Sequence, residues 1–371
     1  MRIVICALMA AFSLVISSAP AAHADVSTTP AHTAGLGGDA VYDLAVLGSG
    51  RVILGGRFTS VGAYPRSNLG AILPNGDADP SFAPTTNGTV LAVAASADGS
   101  RVFIGGTFTM VNGVPRQNLA ALDAVTGALI GGWEADTTGG TPEVTSLAVS
   151  GSTLFVGGRF STIDGAAKQK LAAIDVSSGN LVHWSTWVNG GITEVRVSAD
   201  GGTVWVTGEF TKIRGIARPR LGGIDRVTGQ PTSFVATGND SRPVTLAVTS
   251  DGWLYVGNDN NRLLAYQPAV SSAPRWLRAL DGNVQAIAAA GTTLYIGGHF
   301  KHFSGDDTLR TYFASVDRFT GATHPWDVDA TGAFRGCWAL VINGNHLHAG
   351  GGFTYFADVK QRLYARFDGT P

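Results

Sequence analysis

Five times the chain writes Gly-Gly-x-Phe: at Gly55-Gly56-Arg57-Phe58, Gly105-Gly106-Thr107-Phe108, Gly157-Gly158-Arg159-Phe160, Gly297-Gly298-His299-Phe300 and Gly350-Gly351-Gly352-Phe353. Thr207-Gly208-Glu209-Phe210 keeps three of the four positions, and Gly257-Asn258 is a worn copy. Before each lie three successive bulky positions, such as Val102-Phe103-Ile104 and Leu154-Phe155-Val156. An unbroken apolar run of that length reads as a strand buried on both faces. Two glycines then remove side chains where another backbone comes close or where φ turns positive. The Phe anchors the chain again. The copies recur at about 40 to 53 residues, the period of propeller blades.

Each repeat reads as four strands. A short inner strand opens it, as in Val41–Leu47, Val90–Ser96 and Val144–Ser150, and a tight turn such as Asp98-Gly99 or Asp200-Gly201 follows. The Gly-Gly strand is second. A longer loop leads to a third strand that ends in Asp, as in Leu119–Asp123 and Leu171–Asp175, and the Asp carboxylate is placed to accept N–H groups across the next turn. A fourth strand closes on Phe82, Trp133, Trp184, Phe234, Trp276 or Trp326. No helical period appears in the mature chain. The expected fold is all-β, a seven-bladed β-propeller of four-stranded antiparallel blades over about 37–82, 88–133, 142–187, 191–234, 243–276, 282–326 and 335–371. The last repeat lacks a fourth strand. Residues 25–36 precede the first, so the N-terminal segment is expected to complete the last blade and close the ring. Blade five is the degenerate one, with a tight turn at Asn258–Asn261.

Gly-Gly-x-Phe-Thr-x-Val-x-Gly, a basic residue, Asn-Leu-Ala, then Asp and a turn resembles the delta-60 repeat family of bacterial β-propellers. Phe58–Leu69, Phe108–Leu119 and Asn75–Phe82 carry the likeness, which extends over nearly all of the mature chain. The resemblance implies an exported propeller module and no common catalytic chemistry. Leu119–Gly127 running on to Trp133 is similar to the tryptophan-docking repeat of quinoprotein dehydrogenases. That likeness implies a quinone over calcium beside adjacent cysteines, and the mature chain has only Cys337.

Residues 1–24 read as a secretion signal: Arg2, an apolar run from Ile3 to Ile16, and Ala22-His23-Ala24 before a cleavage point at Asp25. No membrane span is expected. Lys+Arg 26 against Asp+Glu 27 leaves no nucleic-acid footprint. Cys6 leaves with the signal, so no internal disulfide forms, and Cys337 fills a column of small apolar residues. A secreted monomer is expected.

Candidate binding residues come from three places. Arg66, Arg116, Lys168, Arg218 and Arg310 each precede the third strand by the same interval. They form either a cationic collar for an anionic glycan or acidic protein, or a scaffold element. Asp43 and Glu194 share an inner-strand column and would line the central channel. Trp187 and Trp253 stand outside the repeat columns, as stacking surfaces or rim packing. Asp327 and Asp329 imitate the start of a calcium loop, but its twelfth position is Trp338 rather than Glu. No cofactor is expected beyond a structural calcium there. His299 with His302 and His346 with His348 have metal spacing, yet His348 sits in a column of core rings. No catalytic constellation is evident. A binding or scaffold module for an extracellular glycan or protein, acting through variable loops on one face, is the expectation. The alternative is an extracellular enzyme, a polysaccharide lyase or hydrolase or a quinoprotein dehydrogenase, using the channel.

Overall fold

The computed structural model describes residues 26–331 and 336–369, apart from the side chains of 306–308. The signal segment, its cleavage point before Asp25, and Gly332 to Arg335 of the loop entering the last repeat lie outside the described residues. Among the described residues there is no helix, and none long and apolar enough to cross a membrane.

Among the described residues seven antiparallel sheets share one strand order, in which the Gly-Gly strand lies between an inner and a third strand. In the first sheet these are Leu36–Val46, Val52–Val61 and Leu69–Ile72, and in the second Val90–Ala95, Arg101–Gly106 and Leu119–Asp123. The same plan follows with Gly-Gly strands Thr153–Gly158, Thr203–Gly208, Leu254–Asn258, Thr293–Gly298 and His346–Gly351. Each inner strand packs against the next in sequence, and Leu36–Val46 packs against both Val90–Ala95 and Cys337–Asn343. Apolar side chains are buried between neighbouring sheets, as where Leu44 and Leu54 of the first meet Ala339 and Tyr364 of the last. The architecture is that of a β-propeller.

The Gly-Gly pairs are explained by close approach and not by left-handed backbone, since none of them has positive φ. A Cβ on the first glycine would strike the inner strand of the following sheet: Val93 from Gly55, Val144 from Gly105, Cys337 from Gly297. The same holds from last to first, where a Cβ on Gly350 would lie 2.7 Å from Val41. A Cβ on the second glycine would strike a carbonyl in its own sheet, that of Ala40 for Gly56, Thr89 for Gly106 and Asn283 for Gly298. Beside it every inner strand carries a β-bulge, between Val41 and Asp43, Val90 and Ala92, and so on to Cys337 and Ala339.

The outer strand departs from expectation. Among the described residues only the fifth sheet, expected to be degenerate, has a regular fourth strand, Trp276–Ala279. Elsewhere it shrinks to a bridge, such as Leu122 with Leu129 or Ile174 with Leu181. In the second sheet a tight turn intervenes: Asp123 accepts the N–H groups of Val125 and Thr126, and the aromatic that follows is buried. Trp133 packs on Phe103 at 5.3 Å and donates its indole N–H to Asp175 O of the next sheet at 3.3 Å. Trp326 packs on Tyr295 in the same way and donates to Ser27 O at 3.2 Å.

The N-terminal segment lies along Tyr364–Asp368. Ser27 and Ala31 donate to Asp368 O and Arg366 O at 2.8 and 2.7 Å. These match the bonds that Ile130, Val182 and His324 make to Ala121, Ala173 and Ser315 in other sheets.

Gly106→Ala is expected to cost about 2–4 kcal/mol, because a backbone carbonyl cannot yield to the new methyl. Gly131→Ala, with open space around its Cβ, should change stability by less than about 0.5 kcal/mol. Urea unfolding of the two variants checks this; equal costs would remove close approach as the reason for the motif.

Candidate functional site

The inner strands surround a channel of about 1050 Å³. One mouth lies on the face of the hairpins that follow the Gly-Gly strands, such as Met110–Val111 with Val114–Pro115. The segments entering the inner strands pair with these hairpins, Thr86 with Val111 and Val188 with Ile213, so the variable loops share that face.

At this mouth the variable third position of Gly-Gly-x-Phe meets the residue just before the inner strand. The Arg159 N–H donates to Glu143 O, and that of Glu209 to Gly191 O. Their side chains build a charged chain over three sheets. Arg159 bridges Glu143 at 3.0 Å and Glu209 at 2.7 Å, and Arg242 bridges Glu209 at 3.4 Å and Asp259 at 3.3 Å. Across the channel the rings gather: Tyr42 lies edge-on to Trp338 at 5.7 Å, and His299 to Trp338 at 6.2 Å. Tyr42 and Trp338 were not among the sequence candidates for binding, and His299 was a candidate only as a metal ligand. The signal for them was the one varying slot inside the least varying motif, and the bulge residue one place into each inner strand.

Asp43 and Glu194 do line the channel. Asp43 accepts the N–H groups of Leu44 and of Val93 in the next sheet, both at 2.8 Å. Glu194 accepts that of Leu246, and Arg196 pairs with Glu194. Ser146 accepts Val195 N–H at 3.0 Å in the same manner. The column therefore ties one sheet to the next. Burial pushes the Asp43 carboxyl up to about 6 against the opposing pull of Arg196 and the two N–H groups. Burial raises Glu194 as well.

The arginine column does not form a collar. Arg66, Arg116, Arg218 and Arg310 are buried, and each guanidinium donates to carbonyls of its own sheet's outer segment. Arg66 reaches Phe82 O at 3.0 Å, Arg116 Gly131 O at 2.9 Å, Arg218 Thr232 O, and Arg310 His324 O at 3.2 Å. Lys168 reaches Trp184 O at 3.5 Å. Gln361 fills the same column in the last sheet and donates to Thr33 Oγ1 of the N-terminal segment at 2.6 Å. Carbonyls left by the short outer strands need these donors, which is why the column repeats.

Trp253 is rim packing: it is buried, stacked on Tyr255 at 6.1 Å and edge-on to Phe319. Trp187 is exposed, but on the hairpin face away from the channel lining. Asp327 faces the Arg310 guanidinium at 3.6 Å and accepts Asp329 N–H at 3.1 Å. Among the described residues no three His, Cys, Asp or Glu side chains are grouped to hold a metal ion. His302 pairs with Asp281, His346 with Asp368, and buried His348 with Tyr364 Oη at 2.8 Å. Desolvation pushes His348 down to about 4. Cys337 is fully buried against Gly297, and burial pushes its thiol up.

A family model described as "Domain of unknown function (DUF5122) beta-propeller" matches residues 47–82, which supports a β-propeller repeat in that part of the chain. No curated protein matches the chain. Among solved structures, a chain of the Mitotic Checkpoint Complex is similar at TM-score 0.63 and 13% identity, over 98% of this chain and 99% of that one. The computationally designed Ika8 protein is similar at TM-score 0.56 and 13% identity, over 92% and 99%. At such identity the likeness concerns the fold alone.

Arg66→Met strands the carbonyls of Asp79, Pro80 and Phe82, and is expected to cost about 2–4 kcal/mol in urea unfolding. Heparin retention should not change; reduced retention at unchanged stability would restore the collar. Asp43 binds its proton more tightly in the folded chain than in the unfolded one. Its contribution to stability is complete below its ordinary value of 3.8 and is lost as pH rises through about 6. Asp43→Asn should therefore gain stability relative to the parent between pH 4 and 7, by up to about 3 kcal/mol. Thermal melts across that range test it, and a pH-independent difference would count against it.

Proposed function

We propose that the chain is a secreted seven-bladed propeller, closed by residues 25–36 as the outer strand of its last blade, that binds a glycan at the hairpin-face mouth of its channel. One observation carries the binding site: Tyr42 and Trp338, the latter backed by His299, line the same concave opening as Glu143, Arg159 and Arg242, which Glu209 links. Ring faces stack on the C–H faces of sugars, and fixed carboxylates and guanidiniums pair with hydroxyls. Closure is supported by the Gly350–Val41 approach, by the Ser27 and Ala31 bonds, and by Gln361 reaching Thr33. Secretion rests on residues 1–24 of the sequence.

Binding is favoured over the rival enzyme because Asp43 and Glu194 are committed to main-chain N–H groups of the next sheet, and the other two carboxylates lining the channel, Glu143 and Asp251, are paired with Arg159 and Arg318. A general acid or base must keep its carboxyl free to meet the substrate.

The mature chain, recovered from culture medium with Asp25 as first residue, is expected to bind members of a glycan array and release no product from them. Shortened glycans on mass analysis would instead establish the enzyme. A featureless array alongside capture of a protein partner would replace the glycan with a protein.

A further inference from the structure

Seven bulge residues, one per inner strand, face the channel beneath the hairpin mouth. Thr145 and Thr193 spend their hydroxyls on the next sheet, donating to Ile192 O at 2.7 Å and Pro243 O at 3.0 Å. Leu91 and Val244 have no polar atom to offer. Gln285 and Trp338, with the ring of Tyr42 beside them, fall on consecutive sheets, the sixth, the seventh and the first. Resting on the glycan-binding reading above, we propose that these three form a subsite for one uncharged sugar ring.

Two polar atoms point to a ligand. Gln285 is 4% exposed, and its carboxamide oxygen has no partner among the described residues. The buried indole N–H of Trp338, on the adjacent strand, has none either. A desolvated donor or acceptor without a partner is costly, and native interiors rarely keep one. The two are of opposite kind and line the same channel. A sugar hydroxyl both donates and accepts, so one ring can serve both. A half-turn of the amide exchanges its oxygen and nitrogen, and a hydroxyl pairs with either.

The wall is tightly built here: Gly336, at φ +76°, has no room for a side chain, since a Cβ would lie 2.5 Å from both the Gln285 oxygen and the Gly298 carbonyl oxygen. His299 and Tyr42 both meet Trp338 edge-on, which holds the indole in place as a stacking surface.

Charge sets the class of sugar. On the facing wall Arg159 lies between two carboxylates, and Arg242 between Glu209 and Asp259. Both cations are thus already paired, within a chain that holds more carboxylates than guanidiniums. A uronate or sulfate would have to break these pairs, whereas neutral hydroxyls can bond to the carboxylate oxygens as they stand.

Calorimetry and tryptophan fluorescence with trisaccharides of β-1,4-glucose, α-1,4-glucose, β-1,4-mannose, β-1,4-N-acetylglucosamine and β-1,4-mannuronate test the subsite. At least one neutral trisaccharide is expected to bind and to perturb tryptophan emission, with the mannuronate at least about tenfold weaker. Trp338→Ala and Gln285→Met should each weaken the neutral ligand by about tenfold or more, and Trp187→Ala should leave it unchanged. Trp338→Phe keeps the packing but removes the N–H. It covers the case in which the alanine variant fails to fold, and should bind less tightly than the parent. Neutral binding indifferent to the Trp338 and Gln285 changes overturns the subsite and leaves the binding module standing. Preference for the mannuronate, or no binding across the set, overturns the subsite too. An array without any glycan ligand removes the underlying reading instead.

Discussion

Neighbouring sheets meet so closely at the Gly-Gly positions that a methyl group on either glycine would overlap an atom already there. The first glycine of the pair admits the next sheet's inner strand, and the second admits a carbonyl of its own. Interiors are packed to crystal density, so such contacts fix a spacing and do not merely permit it. The same close approach recurs between Gly350 of the last sheet and Val41 of the first. The large apolar clusters between sheets then follow, with Phe58, Phe108, Phe160, Phe210, Phe300 and Phe353 each buried one turn beyond the glycines.

The same constraint shapes the channel. Beside the second glycine the inner strand bulges, and a bulge aims two successive side chains to one side. In three sheets one member of the pair, Asp43, Ser146 or Glu194, ties to the following sheet through a main-chain N–H group. The other lies toward the mouth; Thr145 and Thr193 there also tie to the next sheet, while Tyr42, Gln285 and Trp338 differ in type. Structural and recognition roles are thereby divided between adjacent residues, and a charged side chain in the channel is not by that fact functional. The raised carboxyl of Asp43 illustrates this, since burial beside a tie raises a pKa as surely as a catalytic site would.

Much of the fold was legible because the motif states a packing distance seven times over. The Gly-Gly strands, the Asp turns and the buried aromatics all stand where the sequence puts them. The outer strands were not legible, because side-chain hydrogen bonds decided them. Asp123, Asp175 and Asp317 take N–H groups that a regular fourth strand would leave to its neighbour. Left-handed residues at Asn68 and Asn118 fit their types, but the same conformation at Tyr312 and Leu363 follows from position and could not be read from composition. The arginine column was visible as a column, and its role depended on carbonyls that became exposed only because the outer strands are short.

Trp338 shows why the candidate site was the hardest part to see. In sequence it shares a column with Tyr42, Leu91, Thr145, Thr193, Val244 and Gln285, residues with no common chemistry, and it reads as the failed last position of a calcium loop. A column without consensus looks like surface noise when each strand is considered alone. Around a channel the same seven residues sit side by side, and their disagreement becomes a pattern in space: rings and an amide on one arc, hydroxyls already bonded on the other. Repeats can conserve a scaffold only through what they share, so a single asymmetric site must be composed of what they do not share. The side chains worth testing are therefore those that vary at a position whose backbone geometry does not.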